Sequence, residues 1–298
     1  MRGARGVSLQ CGGGVRSKCV ARALRALVFV VIIFWNISIT WAKVRPPSSM
    51  ERVVNRRRPR SGVGRRPEMS ERRPNTDSQR RVKKEIQSCY ELIQKLGRGA
   101  VYLGSSRIKD DHPHYLQAFE LARDIARLLD CTTWTGAGPG LMDAAIKGAL
   151  EAKKPVGGFK IAKESGEWIR SNFHPYLPAE SYLTCRFFSA RKHGFVDAAT
   201  RNEPSDMTAV VAFPGGIGTL DEVFEILALI QLDRIGSELP VPFILMNYDS
   251  FYSKLLEFLH ECEKWGTIAD GEIAPLWKEC STNVEALEYL VNFYSIPQ

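Results

Sequence analysis

A glycine-rich segment that ends in a glutamate is the part of this sequence best suited to chemistry. It reads Pro214-Gly215-Gly216-Ile217-Gly218-Thr219-Leu220-Asp221-Glu222. The apolar run 209–213 before it predicts a buried strand, and residues 223–231 after it predict a helix. Glycines at such a turn let the backbone approach a ligand closely, and the first N–H groups of the next helix favour a phosphate. The segment therefore predicts a ligand site.

Glu222 needs a separate explanation, because a carboxylate beside a phosphate would repel it. Its position indicates another part of the ligand, such as a ribose or an attacking water. The segment is not a Walker motif, since no Gly-Lys-Ser/Thr follows, and it differs from the Gly-x-Gly-x-x-Gly dinucleotide fingerprint. A purely structural interpretation of the segment is a capping box, with Thr219 as the N-terminal hydroxyl and Glu222 three residues later. This interpretation is compatible with a ligand site.

Two neighbouring cations, Arg191 and Lys192, lie in the predicted helix before that strand. The residues before them, Arg186-Phe187-Phe188-Ser189-Ala190, are mostly not charged. The planar fork of arginine suits phosphate or a polarised base. A solvated basic face of the helix would also explain the pair.

Strands and helices alternate along residues 85–298. The predicted strands are 100–103, 131–135, 156–161, 182–184, 209–213 and 241–246, and the predicted helices are 114–129, 141–152, 187–199, 223–231, 251–265 and 284–293. This alternation predicts an α/β fold with a parallel sheet and right-handed crossovers, while 163–180 predicts a surface loop. Ligands bind at the carboxyl ends of strands in such sheets, where the turns 104–106, 136–140 and 214–219 lie.

The charge of the chain is unevenly distributed. Residues 1–84 carry 21 Lys and Arg against 4 Asp and Glu, a net charge of +17, and the remainder has a net charge of −9. The whole-chain charge of +8 thus belongs to the tail, so we expect no nucleic-acid partner for the folded part. Residues 43–84, rich in Arg and Pro and poor in apolar groups, predict a disordered linker.

Residues 1–42 resemble a targeting segment that could contact a membrane or the targeting machinery. Basic residues precede the apolar run 26–35, and Thr40-Trp41-Ala42 resembles a cleavage site. A signal peptide, a signal anchor, an organelle transit peptide and an upstream extension of the gene model, with later starts at Met50 or Met69, all stay open.

Neither disulfides nor a metal are expected. The seven cysteines are widely spaced without a Cys-x-x-Cys pair, which favours a reduced compartment. The nearest approach to a metal set is His112-Pro113-His114 beside Asp110-Asp111, and we interpret it as a solvated loop that opens a helix.

Taken together, the motifs resemble the Lonely Guy family of cytokinin-activating phosphoribohydrolases, often mislabelled lysine decarboxylases. The resemblance rests on the segment from Pro214 to Glu222, the Arg191-Lys192 pair, Val101 to Ser106 and Thr135 to Met142, and it covers roughly Leu96 to Phe293. It implies a Rossmann-like, doubly wound parallel sheet in a single catalytic domain over 85–298. It also implies a homodimer, a cytoplasmic catalytic domain and no cofactor.

The resemblance also implies a reaction. The N-glycosidic bond of a cytokinin riboside 5′-monophosphate, or of a related nucleoside monophosphate, would be hydrolysed to free base and ribose 5-phosphate. Arg191 and Glu222 match the catalytic pair. The carboxylate would stabilise an oxocarbenium-like state or activate water, and the cation would stabilise negative charge on the departing group. Substrate or phosphate binding would fall to Lys192, Gly215, Gly216, Gly218, Thr219, Ser105, Gly138 and Met142.

Some positions depart from the common family pattern: Ala190, Ile217, Asp221 and Asp143 stand where Glu, Tyr, Glu and Gly are frequent. These departures leave a broader purine or pyrimidine substrate open. A non-catalytic carrier of a nucleotide or of molybdenum cofactor on the same fold is the alternative, against which the Arg191 and Glu222 pair argues. An amino-acid decarboxylase would need a pyridoxal-bearing lysine, for which no motif is recognisable.

Overall fold

The computed structural model describes residues 76–161, 174–236 and 238–297. The predicted targeting segment 1–42, the linker up to residue 75 and most of the predicted surface loop lie outside these ranges. The helices are α1 (Thr76–Leu96), α2 (Pro113–Leu129), α3 (Leu141–Glu151), α4 (Phe188–Ala199), α5 (Ile217–Gln231), α6 (Ser253–Lys264) and α7 (Asn283–Tyr294). The strands are β1 (Gly99–Leu103), β2 (Thr132–Thr135), β3 (Val156–Ile161), β4 (Tyr182–Cys185), β5 (Ala209–Ala212), β6 (Phe243–Met246) and β7 (Lys278–Cys280).

The strands form one parallel sheet in the order β4-β3-β2-β1-β5-β6-β7. The chain moves outward from β1 through β2, β3 and β4, and then returns to place β5 on the other side of β1. This reversal creates a topological switch point between β1 and β5, where open α/β sheets bind ligands at the strand carboxyl ends. The predicted Rossmann-like α/β fold is confirmed.

Both faces of the sheet are covered, which explains why β1 and β5 are apolar and buried along their whole length. On one face Trp134 stacks on Phe159 with ring centroids 5.0 Å apart, and Phe195 of α4 meets Phe159 edge-on. Gly157 makes room for this cluster, since a Cβ there would lie 2.4 Å from the Trp134 ring. The opposite face packs on the buried side chains of α2, such as Leu121 and Ile125.

Three elements differ from the sequence prediction by more than two residues. Helix α1 begins at Thr76, so residues 76–84 are helical and do not belong to the predicted disordered linker. These residues are rich in basic side chains, so the sequence analysis missed the apolar repeat that continues along α1 (Val82, Ile86, Cys89, Ile93 and Leu96). Helix α5 begins at Ile217, six residues before the predicted 223. Strand β7 was not predicted, because it is three residues long and mostly exposed.

Within the described ranges, no helix combines the length and apolar character needed to cross a membrane. The same ranges hold no group of three or more His, Cys, Asp or Glu side chains that could bind a metal ion. His112 instead caps α2 by accepting the N–H of His114 at 3.1 Å. The cysteines described by the structure are free thiols.

Candidate active site

Backbone hydrogen bonds join the turns that follow β1, β2 and β5. The N–H of Ser105 donates to the carbonyl oxygen of Pro214 at 3.1 Å, and the carbonyl oxygen of Ser105 accepts from the N–H of Leu141 at 2.9 Å. Gly140 has a φ of 73°, and a Cβ there would lie 2.3 Å from the Ser105 carbonyl oxygen. The predicted turns therefore form one continuous surface at the switch point.

Arg191 of α4 and Glu222 of α5 form a buried ion pair. Nε of Arg191 lies 3.0 Å from Oε1 of Glu222, and each side chain is 6% exposed. The rings of Phe188 and Phe195 lie beside the guanidinium carbon, at 5.7 and 5.3 Å from their centroids. Taking two charges out of water has a large desolvation cost, so a pair this buried is a weak source of stability. An ion pair with so little benefit for stability favours a functional role.

Gly136 lets the guanidinium reach the turn after β2. A Cβ at Gly136 would lie 2.5 Å from Nη2 of Arg191 and 2.6 Å from Sδ of Met142. Arg191 and Met142 therefore share the space above Gly136, which places the predicted binding residue Met142 beside the predicted catalytic arginine. The sequence analysis did not single out Gly136 as a site residue. Its place in the glycine-rich turn 136–140 was the only indication of such a role.

The glycine-rich segment forms the N-terminus of α5. Gly216 is the N-cap, and the N–H of Leu220 donates to its carbonyl oxygen at 2.9 Å. The N–H groups of Ile217, Gly218 and Thr219 precede that bond, so they have no partner inside the helix. An anion is favoured at such a helix end, both by the N–H groups and by the helix dipole.

The capping-box interpretation of this segment is wrong. Because α5 begins at Ile217, Thr219 is its third residue and not its N-cap, and Gly216 makes no side-chain cap hydrogen bond. Glu222 pairs with Arg191 of another helix. A capping box therefore does not explain the position of Glu222.

The glycines of the segment differ in their surroundings. A Cβ at Gly215 would lie 2.3 Å from Oγ1 of the buried Thr219, so this glycine allows a tight turn. Gly216 and Gly218 have no atom within 4 Å of a hypothetical Cβ and are exposed. Open space beside unpaired N–H groups has the form of an anion cradle.

Gly218→Ala tests this cradle without disturbing the fold. The methyl group meets open space, and alanine favours a helix by up to about 1 kcal/mol over glycine, so we expect an unchanged or slightly higher Tm. The same methyl would occupy space needed by a phosphate, so we expect the affinity for a nucleoside monophosphate to fall at least about tenfold. Calorimetric titration measures this, and unchanged affinity would place the phosphate elsewhere.

Lys192 lies next to Arg191 and joins α4 to α5. Its Nζ is 3.3 Å from Oδ2 of Asp221 and 2.6 Å from Oε2 of Glu225. Burial lowers the pKa of Lys192, but hydrogen bonds and attraction from these two carboxylates outweigh it, so the net shift is upward. Lys192 is thus a permanent cation beside the Arg191 pair. Its role in substrate binding stays a prediction.

A second polar cluster lies on α3, beside Met142. The buried carboxylate of Asp143 accepts hydrogen bonds from the hydroxyls of Tyr115, at 2.5 Å, and of Tyr176, and it pairs with Nζ of Lys147 at 2.9 Å. Burial and the bond to Asp143 raise the pKa of Tyr115 to about 12. The sequence marked Asp143 only as a departure from the family pattern. The structure shows that it ties α2, α3 and the segment before β4 together.

The free energy of unfolding is expected to depend on pH through His174. Its Nδ1 accepts the N–H of Leu177 at 3.0 Å, and burial lowers its pKa to about 4, against the effect of Asp143 and with that of Lys160. The unfolded chain therefore binds the proton more readily between about pH 4 and 6.5, so stability is full above pH 6.5 and falls on acidification. Between pH 7 and 5, we expect the free energy of unfolding in urea to fall by about 2 kcal/mol more for wild type than for His174→Gln. Identical losses in the two proteins would contradict the lowered pKa of His174.

A family model described as "possible lysine decarboxylase" matches residues 142–290, half of the chain. Members of the Lonely Guy family, which the sequence resembles, are often given this description. The chain belongs to the Lonely Guy family. The family match includes Arg191, Lys192 and the segment 214–222. It leaves out β1 and β2, whose turns reach the site only in the folded chain.

Curated plant relatives carry the family's name. The chain is 42% identical over 67 residues to "probable cytokinin riboside 5'-monophosphate phosphoribohydrolase LOGL9" of Oryza sativa subsp. japonica, which is 22% of this chain and 26% of the relative. It is 31% identical over 83 residues to "cytokinin riboside 5'-monophosphate phosphoribohydrolase LOG3" of Arabidopsis thaliana, which is 28% of this chain and 34% of the relative. The chain thus spans about a quarter to a third of these relatives.

Solved structures with a similar fold include two molybdenum cofactor proteins. The molybdenum cofactor binding protein of Rippkaea orientalis aligns with a TM-score of 0.43 and 18% identity, over 66% of this chain and 98% of that one. The molybdenum cofactor carrier protein of Chlamydomonas reinhardtii aligns with a TM-score of 0.41 and 17% identity, over 67% and 99% of the two chains. Similarity at this level gives no information on ligand or reaction.

Proposed function

We propose that this Lonely Guy family protein hydrolyses the N-glycosidic bond of a cytokinin riboside 5′-monophosphate or a related nucleoside 5′-monophosphate. The products are the free base and ribose 5-phosphate. The observation that carries the proposal is the buried Arg191–Glu222 ion pair, which lies one helical turn beyond an open anion cradle. A protein that only binds a phosphate has no need for a buried carboxylate in that position.

The spacing along α5 suits a nucleoside monophosphate. Gly218 and Glu222 are four residues apart, which is about 6 Å along a helix axis. A phosphate held at the first N–H groups of α5 therefore leaves the ribose near the carboxylate. The negative charge of the phosphate is balanced by the helix end, and the carboxylate acts on the sugar.

Glu222 and Arg191 have complementary tasks in this reaction. Breaking the bond between base and ribose places positive charge on the sugar, which the Glu222 carboxylate stabilises directly or by activating a water. Arg191 balances the carboxylate while the site is empty. During reaction its guanidinium can stabilise negative charge on the departing base or on the phosphate. Burial strengthens both interactions, because water screens them less.

The homodimer and the cytoplasmic location implied by the family resemblance stay predictions. A second copy could cover three exposed apolar side chains of α5 and its C-terminal end. Ile217 is 83% exposed, Phe224 38% and Leu232 53%. The apolar character of this face supports the dimer proposal.

The test uses the full-length chain. It is incubated separately with isopentenyladenosine monophosphate, AMP and CMP, and free base and ribose 5-phosphate are measured. We expect equal amounts of both products, and the ranking of the three rates identifies the base that is preferred. Binding of all three nucleotides without product would contradict hydrolysis and favour the nucleotide carrier. A version that begins at residue 85 is unsuitable, because it lacks the first part of α1.

A further inference from the structure

The start of α4 is capped by a residue of α1 and not by its own sequence. Oε2 of Glu85 accepts hydrogen bonds from the N–H of Arg186 at 3.0 Å and of Phe187 at 3.1 Å, across separations of 101 and 102 residues. Phe187 is the N-cap of α4 and makes no side-chain cap hydrogen bond. The carboxylate thus satisfies the N–H of the N-cap and of the residue before it, and it lies at the positive end of the helix dipole.

The other end of α4 is held by a cation that follows α1. Arg98 donates from Nε to the carbonyl oxygen of Asp197 at 3.1 Å and from Nη2 to its Oδ1 at 3.0 Å. A cation is favoured at the C-terminal end of a helix. Between the two ends, the Cys89 thiol donates to the carbonyl oxygen of Ala190 at 3.6 Å. Helix α1 thus runs beside α4 in the same direction, with charges that complement its dipole.

The capped end of α4 is the end that carries Arg191. The N–H of Arg191 donates to the carbonyl oxygen of Phe187 at 3.4 Å, so Phe187 links Glu85 to the backbone of the arginine. The guanidinium of Arg191 has little freedom, since it pairs with Glu222 at 3.0 Å and contacts the turn at Gly136. A small shift of the first turn of α4 would therefore change the geometry of the pair.

We propose that Glu85 is a positioning residue for the reaction, which holds Arg191 in register with Glu222 through the first turn of α4. The inference rests on the proposed hydrolysis. It makes α1 part of the catalytic unit, although the family match begins only at residue 142.

The experiment compares three variants of the full-length chain. Glu85→Ala removes the cap, and we expect kcat to fall at least about fivefold with KM within about twofold. Glu85→Gln keeps an acceptor oxygen, and we expect it to restore most of kcat. Arg98→Ala is the matched control, because it removes a partly buried contact at the far end of α4, from a residue just beyond the end of α1. We expect its kcat to stay within about twofold of wild type, with a similar fall in Tm.

Equal losses of kcat in Glu85→Ala and Arg98→Ala, or an unchanged kcat in Glu85→Ala, would overturn the inference. A wild-type chain that releases no base would instead overturn the proposed function. In that case hydrogen–deuterium exchange of residues 186–195 decides the positioning role. Faster exchange in Glu85→Ala than in Arg98→Ala supports it, and equal exchange in the two variants overturns it.

Discussion

Glu222→Gln is expected to lower the rate of base release by at least about 100-fold. Glutamine has the size of glutamate but no charge, so it can neither stabilise a positively charged sugar nor take a proton from water. The change also removes the carboxylate that pairs with the buried Arg191 guanidinium, which we expect to cost about 3 kcal/mol of unfolding free energy. Ribose 5-phosphate release and urea unfolding measure the two effects.

The matched control for this variant is Asp221→Asn. Asp221 precedes Glu222 on α5, its side chain is 40% exposed, and it pairs with Lys192 at 3.3 Å and not with Arg191. The loss of an exposed ion pair contributes at most about 1 kcal/mol, so we expect stability close to that of wild type and a rate within about threefold. A Glu222→Gln protein that is folded and fully active would show that another group performs the carboxylate chemistry.

Gly136→Ala is expected to lower kcat about 100-fold. The new Cβ would lie 2.5 Å from Nη2 of Arg191 and 2.6 Å from Sδ of Met142. Both atoms belong to the ends of long side chains and not to the backbone, so we expect the side chains to be displaced and the backbone to stay. We expect a cost of about 1–3 kcal/mol for this crowding. The displaced guanidinium no longer meets Glu222 in the geometry of the reaction.

Gly157→Ala provides the control for crowding as such. Its Cβ would lie 2.4 Å from the ring of Trp134, a rigid and fully buried side chain in the core. We therefore expect a larger loss of Tm than for Gly136→Ala, but a kcat within about threefold of wild type at a temperature where the protein is folded. If Gly136→Ala keeps full activity, the position of Arg191 is not critical.

The sequence predicts the central strands well. Strands β1 to β6 begin and end within two residues of the predictions. For β1, β5 and β6 the reason is that parallel strands covered on both faces are continuous apolar runs. Strand β7 (Lys278–Cys280) had no such signal, since an edge strand with exposed polar side chains resembles a loop. Helix α1 (Thr76–Leu96) was not predicted, and its first residues were assigned to the linker because their basic composition resembles one, although the apolar repeat of the helix includes Val82.

What the sequence by itself determined is the chemistry available at the strand ends: a glycine-rich helix start, a carboxylate one turn later and an arginine in the preceding helix. Only the tertiary structure decided that Arg191, Glu222, Gly136 and Met142 share one space. The reason is the order β2-β1-β5, which brings turns far apart in sequence to one edge through crossovers that local patterns do not specify. The cap from Glu85 on α4 depends likewise on helix packing across 101 residues, which no local spacing indicates.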